Sequence, residues 1–357
     1  MGFPERTLSA PGKLFLSGEY AVLWGGVARI AAVEPRTHAF IRSRADRTVE
    51  IVLEDGRLTG AATPAGVKWE GPVPDAFRFT AYAIDLALRV IGTEGPGFSV
   101  AFEPSPLIDG HKLGLGSSAR AAVLATEAAR VALDGDFDTL KLALLSHADA
   151  QGGKGSGGDV AASFAGGVVR YRRYDLKALL ESASKGGLVA RLDQSTPVDV
   201  SRVGDPVYPM VYVFSGASAS TTSLVKAIEA RLTTDERRRF VERSDAAGDV
   251  LERGLLRRDF AAVESACEEL QSLLWSLAET KHEAIERILG LARTFGCAGK
   301  QSGAGGGDGA VVFCPDERGQ REVVEACNAR GLQAFALKSA PGLQGEVKTH
   351  AALAKWL

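Results

Sequence analysis

Glycine is concentrated in four stretches of this chain, and each stretch adjoins a segment with the pattern of a strand or a helix. The chain has 41 glycines among 357 residues, whereas glycine fills about 7% of positions in an average protein. The stretches are APGKLFLSGEYAVLWGG, KLGLGSSARAAV, AQGGKGSGGDVAASFAGG and GKQSGAGGGDGAVVFC. Because glycine allows positive φ and close approach of a ligand to the backbone, this distribution predicts a fold whose loops gather around a bound molecule.

Composition narrows the class of protein. The formal net charge is −2, so no basic excess favours nucleic acid, and no basic cluster beside an apolar stretch favours a membrane surface. No apolar run approaches the roughly 20 residues of a membrane span, and the first residues lack the apolar segment of a signal peptide. The four cysteines have spacings that fit no metal site, which is typical of reduced thiols. We expect a cytoplasmic protein that binds small molecules.

Hydrophobic periodicity predicts an α+β protein of two halves. Strand-like segments fill the first hundred or so residues and flank one helical segment that ends at Gly92. Helices are predicted from Ser117 to about Leu133 and across most of 221–295, and the end of the chain alternates between strand and helix. A segment rich in Ser, Gly, Asp and Pro separates the halves. We therefore predict domains at residues 1–195 and 196–357.

The stretch KLGLGSSA precedes a long alanine-rich helix, and several functions have to be weighed. A dinucleotide-binding fingerprint needs its first glycine directly after a strand, but at least eight residues separate Gly114 from the preceding strand. A classical P-loop is excluded because no Gly-Lys-Ser or Gly-Lys-Thr follows a four-residue gap. Two alternatives remain. One is a phosphate site at the helix N-terminus, with Lys112 nearby and a serine hydroxyl able to ligate Mg²⁺; the other is an ordinary serine N-cap.

The other glycine-rich stretches leave similar alternatives open. Lys13 and Glu19 lie beside strand-like sequence, where a lone lysine is most often a surface residue. Asp159 opens a short helix, either as its N-cap or beside a ligand that the upstream glycines allow close. The loop 303–309 adjoins a strand, and ordering such a loop is entropically expensive unless something fills it. The segment FSGASASTTSLVKAI runs from a strand into a Ser/Thr-rich helix start, a further candidate anion site.

Together and in this order, these motifs resemble one family, the GHMP kinases, which include galactokinase, homoserine kinase, mevalonate kinase and phosphomevalonate kinase. The resemblance runs from about Ala10 to the C-terminus, and the motifs are most similar to those of the phosphomevalonate kinases. Three departures stand out. Gln301 stands where proline is common, Arg120 replaces a small residue, and Ala148 stands where mevalonate kinases place an acidic metal ligand.

The resemblance implies a fold and an activity. The expected fold is that of the GHMP kinases, with an N-terminal half like the second domain of ribosomal protein S5 and a ferredoxin-like C-terminal half. The expected activity is ATP-dependent phosphorylation of 5-phosphomevalonate, with Mg²⁺, in the mevalonate route to isoprenoids. Phosphorylation of mevalonate is one alternative, and a non-catalytic ligand-binding protein of the same fold is another. Whether the protein is a monomer or a homodimer is left open.

The resemblance also implies roles for particular residues. Lys13 and Asp159 would be catalytic, and Ser118 would touch Mg²⁺. The ATP phosphates would be bound by Lys112, Gly114, Leu115, Gly116, Ser117 and Ser118. The acceptor would be bound by Lys13, Glu19, Tyr20, Ser156, Gly157, Asp159, Ser220, Thr221, Ser302, Gly303, Ala304, Gly305, Gly306 and Asp308.

Overall fold

The computed structural model describes most of the chain. The described residues are 2–92, 95–104, 107–108, 111–112, 114–153, 155–174, 198–216 and 221–357. Among them, none of the helices is both long enough and apolar enough to cross a bilayer.

A nine-stranded sheet forms the larger part of the first half. Seven strands follow the order β10-β9-β2-β6-β3-β4-β5, while β1 pairs with β2 and with the late strand β15. The pairing of β1 with β2 shifts register between Pro11 and Gly12, one residue before Lys13. The strands are β1 (Arg6–Ser17), β2 (Val27–Ser43), β3 (Thr48–Leu53), β4 (Gly56–Thr63), β5 (Gly66–Trp69), β6 (Phe98–Phe102), β9 (Val168–Arg172), β10 (Asp199–Gly204) and β15 (Gln344–Glu346). Two short strands, β7 (Leu107–Ile108) and β8 (His111–Lys112), pair with each other outside this sheet.

Four helices cover one face of this sheet and bury its main core. They are α1 (Arg78–Ile91), α2 (Ser117–Ala132), α3 (Thr139–Ala150) and α4 (Gly158–Ala165). The predicted end of α1 is confirmed, because Gly92 follows it with φ 66° in the left-handed region. The predicted bounds of α2 are also confirmed to within one residue. Both α2 and α4 lie against β1 and β2, so their N-terminal ends reach the same strand as Lys13.

A four-stranded antiparallel sheet forms the second half. Its strands are β11 (Met210–Phe214), β12 (Ala298–Ser302), β13 (Gly309–Phe313) and β14 (Gln333–Leu337). Their spatial order is β12-β13-β11-β14, and helices separate β11 from β12 and β13 from β14. This is the ferredoxin-like arrangement, so the predicted fold of this half is confirmed. The helices are α5 (Thr221–Arg231), α6 (Thr234–Arg257), α7 (Phe260–Trp275), α8 (Glu283–Thr294) and α9 (Glu317–Asn328).

The two halves share strands and charged contacts. The strand β10 lies after residue 195 yet pairs with β9, and β15 near the end of the chain pairs with β1. By strand pairing, the first sheet therefore takes in residues on both sides of the predicted division at 195. Arg29 of β2, which is 1% exposed, donates to the carboxylates of Asp249 and Glu252 on α6. A buried arginine needs such partners, so this contact fixes α6 against the first sheet.

The C-terminal tail returns to the first sheet. Leu353 is 1% exposed and packs with Phe40, Val52 and Ala101 of that sheet. In the same tail, His350 Nε2 lies 3.5 Å from a carboxylate oxygen of Glu103, the residue that follows β6. The tail thus completes a small core on the face opposite the helices.

We expect Leu353→Ala to lower the free energy of unfolding by about 2–5 kcal/mol, because it removes buried methyl groups and leaves a cavity. Val347→Ala is the matched control in the same tail, since Val347 is 65% exposed and should change stability by less than about 0.5 kcal/mol. Urea denaturation followed by fluorescence measures both values. Equal effects in the two variants would show that the tail does not pack on the sheet.

Candidate active site

The loop before α2 wraps around the side chain of Lys13. The Lys13 backbone N–H donates to the Leu115 carbonyl at 3.1 Å, and Lys13 Nζ donates to the Gly114 carbonyl at 3.0 Å. Gly116 has φ 83°, and a Cβ there would lie 2.9 Å from Lys13 Cγ. This glycine is therefore required twice, once for its backbone conformation and once for the close approach of the lysine.

The start of α2 differs from a plain serine cap. Gly116 is the N-cap residue and has no side chain to cap the helix, while Ser117 and Ser118 lie inside the first turn. The first backbone N–H groups of a helix have no partner within the helix, and the helix dipole favours an anion there. Of the two alternatives for KLGLGSSA, this geometry favours the phosphate site.

Opposing effects act on the charge of Lys13. Burial lowers its pKa below the usual lysine value, and the positive charge of Arg120 lowers it further. The carboxylates of Asp159, Asp308 and Glu19 act in the other direction and favour the charged ammonium. Lys13 is thus a partly buried cation whose charge interacts with three acidic groups from three parts of the chain.

Asp159 lies at the start of α4, on the same side of the sheet. The N-cap of α4 is Gly157, with φ 81°, and Asp159 is the second residue of the helix. Its Oδ1 accepts from the Val160 N–H at 3.0 Å, and its Oδ2 lies 3.9 Å from His147 Nε2. Ser156 accepts a hydrogen bond from the Gly158 N–H. Asp159 is therefore not the N-cap of α4, which removes the plain structural explanation for it.

His147 is a site residue that the sequence analysis missed. It lies on α3, is 2% exposed, and its ring stacks on Phe79 with centroids 5.1 Å apart. Its Nε2 is 3.1 Å from Ser118 Oγ. One buried imidazole thus lies between the first turn of α2 and Asp159. It is the direct neighbour of Ala148, where the resemblance led us to look for an acidic residue.

The glycine loop after β12 is anchored on the first half of the chain. Ser302 Oγ donates to the Phe15 carbonyl at 2.9 Å, and Tyr20 Oη donates to the Ala304 carbonyl at 2.5 Å. The Gly306 N–H donates to the Thr280 carbonyl at 2.9 Å, and a Cβ on Gly305 would lie 2.8 Å from Thr280. Gly303 and Asp308 both have φ in the left-handed region, at 96° and 52°. The loop is therefore held against β1 and the turn that follows it.

A second missed residue, Lys300, sets the position of Glu19. Lys300 on β12 is fully buried, and its Nζ lies 2.5 Å from Glu19 Oε1. The other oxygen, Glu19 Oε2, is buried with no hydrogen-bond partner among the described residues. The ion pair joins the two halves close to Lys13.

Some predicted residues lie beyond what the structure describes. Ser220 is outside the described residues, as are the side chains of Lys112 and Thr221. The backbone of Thr221 begins α5, and that of Lys112 lies in β8. Their predicted contacts with the acceptor phosphate and with ATP stay predictions.

Comparison with known proteins agrees with this geometry. Residues 82–167 match the GHMP kinases N terminal domain, and residues 251–333 match the family of the GHMP kinases C terminal region. The phosphomevalonate kinase of Streptomyces sp. (strain CL190) is 30% identical, in an alignment that covers 88% of this chain and 91% of that protein. The chain belongs to the GHMP kinase family. The predicted resemblance and fold are thereby confirmed.

Other GHMP kinases leave the acceptor open. The mevalonate kinase of Pyrococcus abyssi is 25% identical over 90% of this chain and 92% of that protein. A structure of Streptococcus pneumoniae phosphomevalonate kinase, in complex with phosphomevalonate and AMPPNP, superposes with a TM-score of 0.80 at 22% identity, covering 94% of this chain and 99% of that chain. At that identity the structural match establishes the fold alone.

We expect Asp308→Asn to lower the pKa of Lys13 further, because it removes one of the negative charges that favour the ammonium. NMR of ¹⁵N-labelled lysine side chains measures this shift, with exposed Asp136→Asn as the control. The unfolded chain has the ordinary lysine value near 10.5 and so binds more protons than the folded chain between the two values. The contribution of Lys13 to stability therefore rises with pH across that window. An unchanged Lys13 pKa in Asp308→Asn would contradict the charge cluster.

Proposed function

We propose that this GHMP kinase transfers the γ-phosphoryl group of ATP to 5-phosphomevalonate. The observation that carries the proposal is the contact of Lys13 with the loop before α2, at a position where the charges of Asp159, Asp308 and Glu19 act on it. Phosphoryl transfer depends mainly on positioning and on neutralising charge, and this arrangement supplies both. The similarity to a phosphomevalonate kinase over most of both chains supports the choice of acceptor.

The residues that surround Ser118 fit a Mg²⁺ ion bound together with ATP. Mg²⁺ takes oxygen ligands and usually keeps several waters, with only one or two ligands from the protein. Ser118 offers a hydroxyl at the start of α2, and His147 Nε2 lies within hydrogen-bond distance of that hydroxyl. Ala148 offers no ligand, so Ser118 and the nucleotide phosphates would hold the ion. When bound, Mg²⁺ shields the negative charge of the phosphates.

The acceptor chemistry explains why a base is unnecessary. The second pKa of a phosphate monoester is about 6, so at neutral pH the attacking oxygen of phosphomevalonate is already an anion. It forms a bond to the γ-phosphorus as the bond to the ADP oxygen breaks, and no proton has to be removed. Lys13 would stabilise the charge on the transferring group. Asp159 would keep Lys13 charged and oriented. The anchored loop 303–308 would contact the acceptor, and the pair of Glu19 and Lys300 would support it from below the surface.

Turnover with a panel of acceptors tests the proposal. We expect kcat/KM for phosphomevalonate to exceed that for mevalonate, homoserine and galactose when ADP release is measured. Lys13→Met should lower kcat by about 10²–10³-fold, because it removes preorganised charge at the reacting group. Lys68→Met, at an exposed position of β5, is the matched control. A larger value for mevalonate would replace the proposal with mevalonate kinase, and no turnover with any acceptor would favour a binding protein.

We expect His147 to act through Ser118, because a residue that hydrogen-bonds to a metal ligand orients that ligand. Removing such a group typically costs about 10–100-fold in metal affinity or activity. We therefore expect His147→Ala to raise the Mg²⁺ concentration for half-maximal activity by about that factor. His147→Gln, whose amide can replace Nε2, should restore most of the loss. A lower kcat with an unchanged Mg²⁺ midpoint would show that His147 only supports the fold.

A further inference from the structure

Arg120 is a buried cation for which the described residues provide no counter-ion. It lies in the first turn of α2, where its N–H donates to the Gly116 carbonyl, and its side chain is 3% exposed. Its Nη1 donates to the carbonyl of Pro35 at 3.0 Å, while its Nε is buried with no partner. Burial lowers the pKa of this guanidinium to about 10, which is still far above neutral pH, so the group remains charged.

This arrangement destabilises the folded protein when no ligand is bound. A buried charge without a paired charge is strongly unfavourable, and one carbonyl oxygen does not neutralise a guanidinium. Other buried cations of this chain are paired: Arg29 contacts two carboxylates, and Lys300 contacts Glu19. Arg120 differs from both, because its side chain contacts the Pro35 carbonyl, and its helix begins at the loop that holds Lys13.

The position of Arg120 identifies what could offset its charge. The phosphate loop, residues 114–116, leads directly into the turn that contains Arg120, and Lys13 contacts two carbonyls of that loop. The charges of Arg120 and Lys13 also interact. A phosphate group at the N-terminus of α2 would therefore experience both cations and the helix dipole.

We propose that Arg120 is a specificity-determining residue whose uncompensated charge strengthens binding at the phosphate loop in proportion to the phosphate charge of the ligand. The proposal rests on the proposed function to the extent that this loop binds the phosphates of a nucleotide. It assigns a role to a residue at which the chain departs from the family motif. The destabilisation of the empty protein and the gain in ligand binding are two consequences of one buried charge.

The test compares stability and binding in the full-length chain. Arg120→Met removes the charge at similar length, Arg120→Lys retains it, and Arg130→Met is the control on α2, where Arg130 pairs with Glu127. Calorimetry measures the Tm of each ligand-free variant, and titration calorimetry measures Kd for ATP, ADP and AMP without added metal.

We expect Arg120→Met to keep or raise the Tm, since replacing an unpaired buried charge by an apolar group is often stabilising. Its Kd for ATP should rise roughly tenfold, as one charge acting across a partly screened distance allows, with a smaller change for ADP and the smallest for AMP. Arg120→Lys should lie near wild type. Arg130→Met should change no Kd.

Two results would overturn the proposal. One is a lower Tm together with the same loss for all three nucleotides, which would mean that Arg120 supports the loop through Pro35. The other is unchanged ATP binding. Because the comparison uses nucleotides and no acceptor, it is independent of the choice between phosphomevalonate and mevalonate. A wild-type chain that shows the expected nucleotide gradient but fails to phosphorylate phosphomevalonate would contradict the proposed function alone.

Discussion

The site depends on how the phosphate loop encloses Lys13. Two carbonyls of that loop accept hydrogen bonds from the lysine backbone and ammonium, and Gly116 permits the contact because no Cβ intervenes. A lysine in this position loses hydration, and three carboxylates from separate segments compensate in part. The charge state of Lys13 is therefore a property of the assembled fold, since each of these groups belongs to a different element.

Contacts between the two halves hold those elements in fixed positions relative to one another. The buried pair of Lys300 and Glu19 ties β12 to the turn after β1, and Ser302 and Tyr20 anchor the glycine loop in the same region. In the first half, Arg29 of β2 joins the sheet to α6. Breaking a buried ion pair leaves an unpaired charge, so these contacts resist separation of the halves. The loop 303–308 is thereby held next to β1 and the turn that follows it.

Much of the site could be predicted from local patterns. Glycines beside a serine pair or an aspartate at a helix start have a direct physical meaning, because positive φ and unpaired N–H groups are properties of short segments. Ser118 and Asp159 were predicted in this way and their roles stay predictions, while the GHMP kinase fold, predicted once the motifs were recognised, is confirmed. His147 and Lys300 were missed. His147 stands just before one glycine-rich stretch and Lys300 inside another, but the importance of each comes from a partner that is distant in sequence, Ser118 or Glu19.

The sequence by itself determined the elements, the ligand class and the family, because these depend on periodicity, turn chemistry and short motifs. Only the tertiary structure showed that Gly116 and Gly157, rather than Ser117 and Asp159, cap their helices. It alone paired β10 and β15 with the first sheet and showed that Arg120 is buried without a counter-ion among the described residues. The physical reason is that burial and charge pairing are set by the distances between segments, and a linear pattern does not contain those distances.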